Sequence, residues 1–182
     1  AHPGAAPETR ATAELGLGNI ASQQGQWDAA EAHYRRVLAA HHCATHASRA
    51  RGGLGLGVVA ERRGQWDAAE AHYRRVLNDP DAAPETRASA EFGLGNVAFG
   101  RDALDIAQQH FRRVLDEHPG ADLDALAGTE RNLGLIAERQ QQWAQAEFHF
   151  QRVLEQYPHA PLSILDSARA DLERVRRKRS QE

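Results

Sequence analysis

The chain has 182 residues, 26% of them charged, and a formal net charge of −3. That balance argues against bulk nucleic-acid affinity and against an acidic tail. No run approaches the roughly 18 apolar residues of a membrane span, and a single cysteine excludes an intrachain disulfide.

The cysteine count fits a reducing cytoplasm, which is the expected compartment. No signal peptide is visible, and the first residue is Ala1 rather than Met. Lys178 is the only lysine; the arginine and alanine bias resembles the coding habit of a high-GC bacterium.

Residues 1–10 form a junction, with Pro7 suited to the first turn of a helix. Four helical pairs are predicted next, over roughly 7–24 with 27–40, 45–63 with 66–78, 84–100 with 103–117, and 122–140 with 143–156. The second helices carry the signal. Gly25 to Leu38 (GQWDAAEAHYRRVL) returns unchanged as Gly64 to Leu77, and in altered form as Asp102 to Leu115 and Gln141 to Leu154. The Val-Leu pairs that end these copies are 39, 38 and 39 residues apart, the signature of a stacked array.

Within one copy, Ala30, Tyr34, Val37 and Leu38 fall on one face of a 3.6-residue period, while Glu31, Arg35 and Arg36 lie off it. Gly25 and Gly64 stand where a chain turning out of an earlier helix wants positive φ. Each first helix carries a Leu-Gly pair whose glycine, Gly18, Gly57, Gly95 or Gly134, costs about 1 kcal/mol relative to Ala inside a helix. That recurrence predicts close packing, with Ala30, Ala69, Ala107 and Ala146 as the small partners in the second helix. Loops are predicted at 78–80, 118–120 and 157–159. Leu162 to Arg179 then reads as a ninth helix with an apolar stripe of Ile164, Leu165, Ala168, Leu172 and Val175, a capping element with a basic end.

Leu-Gly, then Gly-Gln-Trp, then Ala, an aromatic and an apolar pair, with Pro119 and Pro158 at the end, resembles the tetratricopeptide repeat. The resemblance covers four units over residues 7–158 and departs from the family in its lengthened period of 38–39 residues. It implies an all-α, right-handed α-α superhelix (solenoid) of four helix-turn-helix repeats plus the capping helix. The expected division is 1–160 for the repeats (about 7–40, 45–78, 84–117 and 122–157) and 161–182 for the cap.

Several motifs with chemical potential take a plainer reading. Gly53 to Gly57 lacks the preceding strand and following Gly-Lys of a phosphate loop, so helix packing explains it. His41, His42, Cys43 and His46 offer metal-ligand types, but a closed site needs a matching second motif; no metal is expected. Nothing marks a base or oxyanion site for Cys43, so the chain reads as non-enzymatic, with no cofactor. His33, His72, His110 and His149 recur too far apart to share a proton and read as half-buried fillers beside the aromatics. The basic run from Arg174 to Arg179 suits the carbonyl end of a helix better than a phosphate site.

The resemblance also implies a concave groove, lined by first helices, that grips a peptide or partner segment. Projected onto this chain, the binding residues are Asn19, Gln23, Leu54, Val58, Arg62, Phe92, Asn96, Phe99, Arg131, Leu135 and Arg139, with Leu15, Glu61 and Glu138 beside them. Asn19 and Asn96 would hold backbone amides; Leu54, Phe92 and Phe99 would anchor apolar groups. The basic clamp used by chaperone-tail binders is missing, since Leu15, Gly55, Ser89 and Gly93 stand in its place. The expected function is a protein-binding scaffold; the alternative is the sensor or regulatory arm of a larger bacterial signalling or transcription-control protein. A membrane or nucleic-acid partner is not expected.

One further expectation concerns the first helix. Residues 3–21 match residues 80–98 at 15 of 19 positions, and the latter follow a second helix. By the same grammar the chain is expected to be a part of a longer array, with Ala13 and Ile20 facing the gap and offering a route to homo-oligomers.

Overall fold

The computed structural model describes residues 7–40 and 44–181. Among them run nine α-helices and no strand: α1 (Pro7–Gln23), α2 (Trp27–Ala39), α3 (His46–Arg62), α4 (Trp66–Leu77), α5 (Pro84–Gly100), α6 (Leu104–Glu117), α7 (Leu123–Arg139), α8 (Trp143–Gln156) and α9 (Leu162–Arg179). The fold is all-α and built of helix-turn-helix hairpins, as the repeated sequence predicts. His41, His42 and Cys43, on which the metal question turned, lie outside the described residues.

The hairpin turns show why the repeat keeps its form. Each closes with a six-residue backbone bond at the end of the first helix: Gln26 N–H to the Ala21 carbonyl (2.8 Å), Gln65 to Ala60 (2.9 Å), Ala103 to Ala98 (2.9 Å) and Gln142 to Ala137 (2.8 Å). The closure needs a residue with positive φ. Gly25 (70°) and Gly64 (69°) supply it as predicted, while Asp102 (60°) and Gln141 (59°) adopt the same conformation without glycine.

The chain divides into two compact units, one ending at Val97 and one beginning at Ala98, so the boundary falls inside α5. In unit 1, Ala30, Tyr34 and Val37 of α2 pack with Leu15 of α1 and with Leu56 and Val59 of α3. One repeat later, Ala69, Tyr73 and Val76 of α4 pack with Ala90, Leu94 and Val97 of α5. In unit 2, Ala146 and Phe150 of α8 pack with Leu172 and Val175 of α9, and Val153 packs with Leu165 and Ala168. Each buried valine or leucine contributes about 1.5–3 kcal/mol relative to an exposed one.

The partner assigned to the helix glycines needs correcting. The group facing Gly18 is the ring of Tyr34 rather than Ala30: a Cβ at Gly18 would stand 2.6 Å from Tyr34 Cε1, and one at Gly55 2.5 Å from its Cζ. Gly57 and Gly93 enclose Tyr73 in the same way, and Gly134 abuts Phe150. The glycines therefore make a slot for an aromatic ring from the second helix. Gly53 and Gly57 lie within α3, as the helix-packing reading required.

Helix α9 continues the rhythm of first helices. Its buried Ala168, Leu172 and Val175 stand 39 residues after Thr129, Leu133 and Ile136 of α7, which are also buried. Four residues of its basic end are held by carboxylates: Arg174 by Glu138 and Asp171, Lys178 by Glu138, and Arg176 and Arg179 by Glu147.

Candidate functional site

The predicted groove residues of unit 1 come from stripes of residues four apart on the first helices. On α1 the stripe is Leu15, Asn19 and Gln23; on α3 it is Leu54, Val58 and Arg62. The two stripes flank an open recess of about 380 Å³. Leu15 is buried at its floor, Leu54 and Val58 are half-buried along one wall, and Asn19, Gln23 and Arg51 are exposed at its rim. Arg62 is exposed on the next turn of α3.

Tyr34 reaches this recess between Gly18 and Gly55. Its hydroxyl donates to Asn19 Oδ1 at 2.7 Å, leaving the Asn19 amide NH2 as a donor at the rim. Burial pushes the Tyr34 phenol above its usual range, so it stays protonated and keeps the asparagine oriented.

Asn96 has the same motif context as Asn19 but different company. Its amide Nδ2 donates to Glu61 Oε1 at 3.2 Å, and Tyr73 donates its hydroxyl to Glu61 Oε2 at 2.7 Å. Burial pushes the Glu61 carboxyl up, against the lowering effect of these donors. Phe92 is half-buried one turn earlier on α5.

In unit 2 the predicted residues sit in internal contacts. The Arg139 guanidinium stacks 4.1 Å from the centre of the Phe99 ring and meets Asp102 Oδ1 at 2.7 Å. Arg131 Nε donates to Asp171 Oδ2 at 2.8 Å, and Leu135 packs against the cluster of Phe150, Leu172 and Val175. Glu138 accepts two bonds from Arg174 (2.8 and 2.6 Å) and one from Lys178 (2.9 Å). The Arg174 bonds come first in holding its carboxyl down to about 2.

Sequence reading missed three features. His33 and His149 are held by carboxylates rather than serving as fillers: Glu14 Oε2 lies 2.6 Å from His33 Nδ1, and Glu130 Oε2 lies 2.8 Å from His149 Nδ1. The recurrence of Glu14, Glu91 and Glu130 at one repeat position was the available signal. His46, exposed, pairs with Asp81 at 3.2 Å near Asp79, a surface arrangement that an ordinary ion pair explains. On α1, Ala13 and Ile20 are exposed as expected, and Leu17 joins them at 47%. No described helix is long and apolar enough to cross a membrane.

Comparison with known proteins bears on this geometry. A tetratricopeptide repeat model matches residues 9–79, and a second matches residues 132–160. Together they cover more than half of the chain. No curated protein matches the sequence. Among solved structures, the chain is similar to the apo form of RapI, with a TM-score of 0.71 and 14% identity over 94% of this chain. It spans 49% of that protein's length. At that identity the likeness is one of fold.

Proposed function

The chain belongs to the tetratricopeptide repeat family, and from that premise we propose that it is a non-enzymatic scaffold that seats a peptide or partner segment on unit 1. The observation that carries the reading is the recess between α1 and α3: an apolar floor and wall of Leu15, Leu54 and Val58, rimmed by Asn19, Gln23 and Arg51. Such a surface takes apolar side chains below while amide groups hold an extended backbone above. Arg62, Phe92 and Asn96 extend the seat along α3 and α5. Phe99, Arg131, Leu135 and Arg139 engage a partner only by exchanging the contacts they already make, so we rank them behind the unit 1 residues. The proposed organisation is four repeats, about 7–40, 45–78, 84–117 and 122–157, plus the cap, acting in the cytoplasm.

Affinity capture from the source cell, read by mass spectrometry, tests this directly. Gln23→Ala with Arg62→Glu, both exposed positions, should lose the specific partner while Arg35→Ala with Arg36→Ala keeps it. The opposite pattern would move the binding surface to the second helices. A second reading, the regulatory arm of a larger signalling or transcription-control protein, draws on the partial coverage of RapI; a full-length gene encoding a DNA-binding or nucleotide-binding domain would favour it. Self-association through the α1 face is a separate proposal, checked by light scattering of Ile20→Glu.

A further inference from the structure

Every second helix carries a histidine and, three residues on, an arginine: His33 and Arg36, His72 and Arg75, His110 and Arg113, His149 and Arg152. Nineteen residues before each histidine, the place that faces it in the first and fourth repeats, the sequence carries Glu14, Gly53, Glu91 and Glu130. The second repeat alone lacks the carboxylate.

The first and fourth repeats show what that carboxylate does. Glu14 Oε2 lies 2.6 Å from His33 Nδ1 and 3.5 Å from Arg36 Nη1. Glu130, fully buried, lies 2.8 Å from His149 Nδ1 and 2.9 Å from Arg152 Nη1, the arginine meeting it as an ion pair at an angle that makes no hydrogen bond. In both, one carboxylate is gripped between an imidazole and a guanidinium on successive turns of one helix.

In the second repeat the grip remains without its own carboxylate. Where Glu14 and Glu130 project, Gly53 opens a recess of about 270 Å³, lined by His72, Arg75 and Val76 of α4, Arg49 of α3 and Asp79 beyond α4. The two carboxylates nearby are committed elsewhere: Glu31 of α2 pairs with Arg35 and Arg63, and Asp79 Oδ1 accepts the Asp81 N–H at 3.0 Å. Among the described residues, neither forms an ion pair with His72 or Arg75. The recess is part of unit 1 and shares no lining residue with the groove between α1 and α3.

We propose that this recess is a carboxylate-binding site, in which a ligand's carboxylate takes the place between His72 and Arg75 that Glu14 and Glu130 fill in their own repeats. The short aliphatic part of the ligand rests on Val76 and on Leu38 of α2. The carboxylate belongs either to a free small acid or to a glutamate side chain of a partner protein. The binding has a pH signature. His72 is neutral at pH 7, since burial, then Arg75 and Arg35, hold its imidazole below the ordinary range against the opposing pull of Glu31. Protonation adds a charge-assisted hydrogen bond, so affinity rises as pH falls through the His72 pKa, until the ligand itself protonates.

The test uses the full chain with its histidine rings labelled for NMR, titrated at constant ionic strength with glutarate, with blocked glutamate (N-acetylglutamate amide) and with inorganic phosphate. A saturable shift of His72, without shifts at His33 and His149, and tighter at pH 6 than at pH 8, is expected. Arg75→Gln should weaken it about tenfold or more, the loss of one hydrogen bond to a charged group. Gly53→Glu should abolish the shift by supplying the carboxylate from within; its Cβ would stand 3.3 Å from Val76 Cγ2, a contact relieved by a few tenths of an ångström of movement in that side chain. If that variant fails to fold, Arg75→Gln, altered at an exposed residue, decides alone. A response to glutarate only identifies a free acid, and a response to blocked glutamate as well identifies a partner's side chain. The proposal is overturned by a linear shift or none, by equal shifts at all three histidines, by affinity no tighter at pH 6 than at pH 8, by an unaltered response in Arg75→Gln, or by phosphate binding more tightly than either carboxylate.

Discussion

Glu61 and Glu138 occupy one repeat position, each followed by an arginine near the end of its first helix, and their surroundings are opposite. Around Glu61 the donors are the Tyr73 hydroxyl and the Asn96 amide, both neutral, and burial pushes the carboxyl up. Around Glu138 the aromatic is Phe150, which offers no hydroxyl, and the place of Asn96 is taken by Arg174 of α9, with Lys178 one turn on. There the carboxyl is held down to about 2. The repeat decides where the carboxylate stands; the helix that follows decides whether it is worth keeping ionised. Function transferred along a repeat by position alone would get one of the two wrong.

The contrast can be broken at several levels. Removing the aromatic is the harshest: Tyr73→Ala and Phe150→Ala should each cost about 3–5 kcal/mol in urea unfolding, since both rings are buried in a slot cut to their shape. A cost under about 1 kcal/mol for either would mean the slot is not the core of its hairpin. Filling the slot from the other side is next. Gly93→Ala drives a methyl into the Tyr73 ring and should cost about 1–3 kcal/mol in the same assay.

The carboxylates themselves should then diverge. Glu138→Gln should destabilise by about 0.5–1.5 kcal/mol at pH 7, discounted because Arg174 is 39% exposed. Its folded pKa lies below the unfolded value of about 4.3, so the stabilisation is present above that pH and lost as pH falls toward 2. Glu61→Gln should be near neutral or slightly stabilising at pH 7. Its folded pKa is raised, so the wild-type carboxyl contributes stability only when protonated, below about pH 4.3, and loses it as pH rises through the folded pKa. Melting curves from pH 3 to 7 separate the two signs, and parallel behaviour of both variants would remove the contrast. The smallest effect belongs to the rim: Arg176→Ala, at an exposed pair with Glu147, should shift stability by less than about 0.5 kcal/mol, and less still in high salt.

How far the sequence speaks varies residue by residue. The positive φ of Gly25 and Gly64 was legible because glycine advertises it; that of Asp102 and Gln141 was not, because only alignment with the earlier turns places them there. Periodicity identified the buried face of each second helix, yet could not say that Tyr34 rather than Ala30 fills the space left by Gly18. Two helices share that face, and spacing along one says nothing of which side chain on the other is long enough to arrive. In the candidate groove, Asn19 and Asn96 read alike in a Leu-Gly-Asn motif. Their difference comes from Glu61, a residue of the preceding first helix that no local pattern connects to Asn96. The pairing of Glu14 with His33 was hidden for the same reason, crossing from one helix to its neighbour.

The exposed face of α1 bears on how such a molecule changes length over generations. Ala13, Leu17 and Ile20 correspond to Ala90, Leu94 and Val97 of α5, which lie in one core with Tyr73 and Val76 of α4. A gene copying error that joined the stretch ending at residue 79 to the one resuming at residue 3 would duplicate 77 codons at a pair of nearly identical sequences. The added α1 face would meet an α4 already shaped for it, so the longer protein would need no compensating substitution. Copy number can therefore drift two repeats at a time, while a gain of one repeat would set an α1 face against an α2 and place Leu17 and Ile20 where Leu56 and Val59 now pack.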